Sequence, residues 1–153
     1  MKMNVKDILL AQLNACHENT WFVSLLHSID DLTEEQASWK PSETTNSIFE
    51  IVNHLIFYNQ RYLNRFKDIP NERNVESNTF RNAEGLTWND TVKRIENITT
   101  EWQNVVEEAE ANKLDDMASD LAYLTIHTTY HTGQILYIRK LQGLWDSKDG
   151  VQG

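Results

Sequence analysis

The sequence predicts an all-α fold, a four-helix bundle, on three observations. Apolar residues recur at spacings near 3.6, helix-start signatures stand ahead of the apolar runs, and only five Gly and two Pro interrupt 153 residues. The composition, 40% hydrophobic and 24% charged, is that of a folded chain of about one domain's length. A single domain over residues 1–153 is therefore expected, and no internal repeat suggests a solenoid.

Val5, Ile8, Leu9, Leu13, Cys16, Val23 and Leu26 share a helical stripe, so a first helix is expected from Asn4 to about Ile29. Cys16 lies on that stripe and reads as a small buried hydrophobe. His17 and His27 have no second histidine at helical spacing on the same face and read as surface or satisfied side chains. Thr33 with Gln36 is a capping-box pair that opens a short helical turn, which Pro41 stops. Trp39 is expected to plug one end of the core.

Ser47 with Glu50 repeats the capping signal ahead of Ile48, Ile51, Val52, Leu55, Tyr58, Tyr62 and Phe66, the second long helix. Lys67 to Leu86 loses periodicity and reads as a loop, long enough to cover a pocket or to serve as a solvated crossover. Thr87 with Asp90 opens a third helix that runs to roughly Asn112, its outer glutamates a solvated face. The fourth helix should run from near Ala118 to Gly143, a C-terminal cap, with Arg139 and Lys140 near its negative end. Trp145 and the tail to Gly153 read as frayed or interfacial.

A formal charge of −9 opposes the phosphate backbone, which excludes nucleic acid as an expected partner. Asp7 breaks any apolar run near the start, and no segment approaches the roughly 18 apolar residues of a membrane span, so a cytoplasmic protein without membrane contact is expected. A single cysteine forms no internal disulfide and suits a reducing compartment. No Gly-rich phosphate loop, Cys-x-x-Cys pair or nucleophile elbow is present.

One constellation is chemically pointed. Asp120, Leu124, His127, His131, Gln134 and Ile138 step along one helix face that is apolar at its ends and polar in its middle. Two imidazoles four residues apart stack on one face and can grip a metal. His54, between Ile51 and Tyr58 on the inner side of the second helix, is the candidate third ligand, and a bundle assembles such sites from facing helices. Three imidazoles leave coordination positions open, and Zn or Ni are the leading candidates. Glu50, Asp120 and Gln134 are candidates to orient the rings, and Tyr58 or Tyr130 to donate a hydrogen bond, with packing and capping as the competing readings. The Glu that follows the first histidine of zinc proteases is replaced by Thr128.

At these residues the chain resembles the DinB/YfiT-like family of metalloenzymes. The resemblance covers nearly all of the chain: a first helix, Trp39-Lys-Pro41, Asn46-Ser-Ile48 leading into His54-Leu55, and His127-x-x-x-His131-x-Gly133-Gln134. It implies a four-helix bundle of that family's connectivity, a homodimer, and one divalent metal held by His54, His127 and His131. Members with assigned activities join bacillithiol to an electrophile or isomerise maleylpyruvate with mycothiol. Tyr130 and Thr132 stand where members frequently carry a His and an Arg, which spares the ligands and leaves the substrate open.

The expected function is a metal-dependent transfer of a low-molecular-weight thiol, of bacillithiol type, to a small electrophile. The alternatives are a hydrolase using a metal-bound hydroxide, and a non-catalytic metal-stabilised dimer or small-ligand sensor using Trp21, Trp102 and Trp145.

Overall fold

A computed structural model describes residues 2–72 and 78–151 of the chain. Every regular element among these residues is a helix: α1 (Val5–His17), α2 (Leu25–Ser28), α3 (Glu34–Ser38), α4 (Ile48–Phe66), α5 (Trp88–Glu108) and α6 (Ala111–Leu141). The four long ones form the bundle. Helices α1 and α4 each pack against both α5 and α6, so the pair α1/α4 alternates with the pair α5/α6 around the core.

The start signals act as expected. Thr33 and Gln36, and likewise Ser47 and Glu50, exchange side-chain and backbone hydrogen bonds, satisfying N–H groups that a helix start leaves orphaned. Asn4 and Asp7 form a third such box at α1. Leu144 N–H bonds back to the Arg139 carbonyl at 2.9 Å and Gly143 N–H to Lys140 at 3.1 Å. This closure needs Gly143 in the left-handed region, at φ +71°.

Several sequence expectations are corrected. The first helix ends at His17, not Ile29. The Asn19 side chain accepts the Ser24 N–H at 2.9 Å and Ser24 caps α2, so local side-chain bonds compete with the helix, and Val23 reaches the core from a loop. Trp39 is exposed at the end of α3, where the backbone turns extended ahead of Pro41. The plug is Trp88, whose indole N–H donates to the Leu32 carbonyl at 3.0 Å and whose ring lies 5.3 Å from that of Phe49.

The third helix stops at Glu108, and α6 starts at Ala111, seven residues before Ala118. Asp115 and Asp116 therefore lie within the helix, past its first turn, and do not precede it. Of the C-terminal segment, Trp145 and Gly150 pack on the bundle, and residues 152–153 lie outside the described residues. Trp145 meets His27 edge-on at 5.7 Å, and a Cβ on Gly150 would stand 2.8 Å from a Val23 methyl.

Arg139 holds this end together. The buried guanidinium donates through Nη1 to the carbonyls of Ser28 at 3.0 Å and Asp30 at 2.9 Å, and through Nη2 to that of Leu144 at 3.1 Å. Its plane lies 5.0 Å over Trp145. Burial lowers its pKa, against the opposing pull of Asp30, Asp31 and Asp149. Arg139→Leu strands three carbonyls and should destabilise the fold by about 2–4 kcal/mol in urea unfolding. Arg139→Lys should recover little, because one ammonium cannot span that fork; a loss under about 1 kcal/mol would show the clamp to be unimportant.

Candidate metal centre

Packing of α4 against α6 brings His54 to the pair on α6. The His54 and His127 Nε2 atoms lie 3.0 Å apart, those of His131 and His127 3.1 Å, and the three ligand atoms fall within 4.8 Å of one another. A tetrahedral ion at roughly 2.0–2.1 Å from each nitrogen would separate them by about 3.3 Å, so a small adjustment admits one. His54 and His131 are buried and His127 is half-buried, which leaves one side of the cluster open to approach.

The tautomers argue for a cation. His131 Nδ1 donates to Gln134 Oε1 at 2.7 Å, leaving its Nε2 as a lone pair. His54 Nδ1 stands 2.7 Å from the Thr79 hydroxyl; donating there likewise leaves its Nε2 as an acceptor. His127 Nε2 then faces two lone pairs and can donate to only one of them. A divalent ion at the common point satisfies all three.

Protonation offers no substitute. Burial, then the neighbouring His131 and His127, pushes the His54 pKa down to about 4. Burial and His131 lower that of His127. Burial lowers that of His131, partly opposed by its bond to Gln134. The rings are held as the neutral imidazoles that bind metals.

Aromatic rings surround the cluster. Phe80 stacks on His54 at 4.1 Å, Tyr58 meets the rings of His54 and His127 edge-on at 5.0 and 5.6 Å, and Tyr130 meets His131 edge-on at 5.1 Å. Tyr58 and Tyr130 thus border the site through their rings. Gln134 contacts a candidate ligand, whereas Glu50 and Asp120 do not orient the rings. Glu50 serves the α4 capping box and lies 3.6 Å from Lys40, and Asp120 lies 3.7 Å from Arg65. Being one or two turns from a histidine did not aim either carboxylate at it.

Thr79 and Phe80 were not legible as site residues, since both sit in an aperiodic stretch with no spacing to the histidines. Residues 73–77 of the expected loop lie outside the described residues. The loop also walls a separate cavity of about 350 Å³ whose lining includes Asn53, Phe57, Thr79, Arg81 and Glu84, and none of the three histidines. Thr132 is buried and spends its hydroxyl proton on the Thr128 carbonyl at 2.8 Å, so no cation stands at that position.

Three imidazoles converging from facing helices of a helical bundle form a cluster that could hold a metal ion. The sequence profile of the DinB superfamily matches residues 17–135, and the chain belongs to that superfamily. Neither a curated protein nor a solved structure matches the chain.

Two outcomes test this geometry. Thr79→Val and Gln134→Leu should each weaken metal binding about 10–100-fold in chelator competition while leaving far-UV circular dichroism unchanged; unchanged affinity in both would remove their orienting role. The metal-free protein should lose stability as pH falls from about 6.5 toward about 4. In that window the unfolded His54 binds a proton and the folded one does not, so acid favours unfolding. Thermal melts of chelator-treated protein that are flat across that window would contradict it.

Proposed function

We propose that the protein is a divalent-metal enzyme that transfers a low-molecular-weight thiol to a small electrophile. The observation that carries this reading is the meeting of three neutral imidazole nitrogens within 4.8 Å of one another, with His127 half-buried. His54, His127 and His131 would hold the ion, with Zn or Ni the best matches to an all-imidazole set. Bound there, a divalent cation lowers the pKa of a thiol and so supplies thiolate near neutral pH.

The chain's own residues divide the remaining work. Gln134 and Thr79 fix the rings of His131 and His54. Phe80 and Tyr58 exclude water from the cluster's apolar side, and the hydroxyl of Tyr58 or Tyr130 would donate to the leaving group. In the transfer a carbon–sulfur bond forms, the carbon–leaving-group bond breaks, and the thiol proton passes to solvent. The nucleophile comes from outside the chain. Cys16 is buried, its Sγ–H donates to the Gln12 carbonyl at 3.5 Å, and burial pushes its pKa up to about 12.

Hydrolysis has less support. A general base would serve it, and the two carboxylates nearest the ligands in sequence, Glu50 and Asp120, are engaged elsewhere. A metal-stabilised sensor without turnover remains the reading of a different class, distinguished by the same assay.

Stripped protein reloaded with Zn or Ni should accelerate the reaction of a small thiol with monobromobimane by at least roughly tenfold over the free thiol. Elemental analysis should find one ion per chain, and His54→Ala, His127→Ala and His131→Ala should lose both ion and rate. Saturating metal should raise the melting temperature by about 5–10 °C. Metal binding and stabilisation without any rate enhancement would replace the enzyme with the sensor, and ester turnover without thiol would replace it with the hydrolase.

A further inference from the structure

The cavity beside the histidine cluster lies against a face of α4 that the cluster does not use. Asn53, Ile56, Phe57, Gln60, Arg61 and Asn64 line it at helical spacing, next to the stripe that carries His54. The connection from α4 to α5 folds back over this face through residues 69–72 and 79–86, and Arg94 on α5 completes the wall.

The walls are tied together without any ligand. Gln60 Nε2 donates to Asn64 Oδ1 at 2.8 Å, Asn64 Nδ2 to Asn71 Oδ1 at 3.0 Å, and Asn71 Nδ2 to the Arg61 carbonyl at 3.1 Å. This relay of amides pins the connection to the helix. Asn82 closes the following turn, donating to the Leu86 carbonyl at 2.8 Å and accepting the Leu86 N–H at 3.0 Å. A preformed space of about 350 Å³ lies at the small end of the roughly 300–1,000 Å³ of ligand pockets, so it suits a metabolite-sized molecule.

The charges select which molecule. In a chain of net charge −9, three of the six arginines, Arg61, Arg81 and Arg94, line this one cavity. Arg94 is matched by Glu84, whereas Arg81 makes no ion pair among the described residues. A guanidinium fork takes a carboxylate through two parallel hydrogen bonds. One carboxylate balances Arg81, while a phosphate dianion would bring a second negative charge toward Glu72 and Glu84, which line the same space. Ile56, Phe57, Ile69 and Leu86 offer apolar surface to the rest of the molecule.

Thr79 belongs to both sites. It lines the cavity, and its hydroxyl lies 2.7 Å from His54 Nδ1. Asn53, also in the lining, donates through Nδ2 to the Phe80 carbonyl at 3.5 Å, and Phe80 stacks on the His54 ring at 4.1 Å. A molecule that fills the cavity therefore restrains the segment that orients His54. We infer that this cavity binds a small monocarboxylate with an apolar body, its carboxylate on Arg81, and that its occupancy strengthens metal binding at the histidines. The inference needs no turnover at the cluster and stands apart from the proposed reaction.

Benzoate is the probe, benzamide its uncharged counterpart and inorganic phosphate the competing anion. Titrated calorimetrically into the chelator-treated full chain, benzoate should bind one site at least about tenfold more tightly than either control. Arg81→Gln removes the charge and Ala83→Trp occupies the space. Both positions are exposed, so both variants should keep wild-type circular dichroism while binding benzoate about tenfold more weakly or worse. Saturating benzoate should raise zinc affinity in chelator competition by at least roughly fivefold in the wild type and not in the variants. No saturable benzoate binding, or equal binding of benzamide or phosphate, would overturn the inference. Unchanged zinc affinity would overturn it too, by leaving the cavity unlinked to the histidines. An effect on zinc that survives both variants would do the same, by placing benzoate on the ion itself.

Discussion

Three imidazole nitrogens drawn to one point form the constraint on which the rest of the site depends. Imidazoles at 3.0 and 3.1 Å cannot all be satisfied by sharing their own protons, and burial keeps them from taking up more. The arrangement therefore stores an unmet demand for positive charge in the middle of the fold. Both contributing helices give up apolar residues for it, His54 on the inner face of α4 and His131 on that of α6. Departures from local packing rules are expected where function requires them, and these two face each other.

Meeting that demand requires a rigid frame, and α6 provides it. Its buried threonines donate to carbonyls of their own helix, Thr125 to Ala122 and Thr128 to Leu124, which seats these polar side chains on the inner face. Thr125 also reaches Gln12 on α1, and Asn59 on α4 reaches Thr128. At its far end the Arg139 fork ties in the connection from α2 and the C-terminal segment. One long helix thus carries two imidazoles and the clamp.

Much of this was legible beforehand. Helical spacing and the Thr33, Ser47 and Thr87 caps place the helix starts because each depends on residues within one turn. The pairing of His127 with His131 follows from the helix pitch alone, and that of His54 with them from its place on an inward stripe. Other boundaries were not legible. Val23 and Leu26 kept the helical phase across a break made by Asn19 and Ser24, and periodicity does not distinguish a continued helix from a loop that returns a side chain to the core. Trp39 and Trp88 are equally apolar in sequence, and only the exit angle ahead of Pro41 sends one to solvent.

By itself, then, the amino-acid sequence determined the all-helical class, the start of each long helix but the last and the identity of the three imidazoles, because these depend on local spacing and residue chemistry. Tertiary structure alone decided which group orients His54, choosing Thr79 over Glu50, and which tryptophan closes the core. It also decided that Tyr123, Ile126, Tyr130 and Tyr137 stand exposed on α6. Those outcomes depend on where distant segments meet and what each covers, and no interval along the chain encodes that meeting.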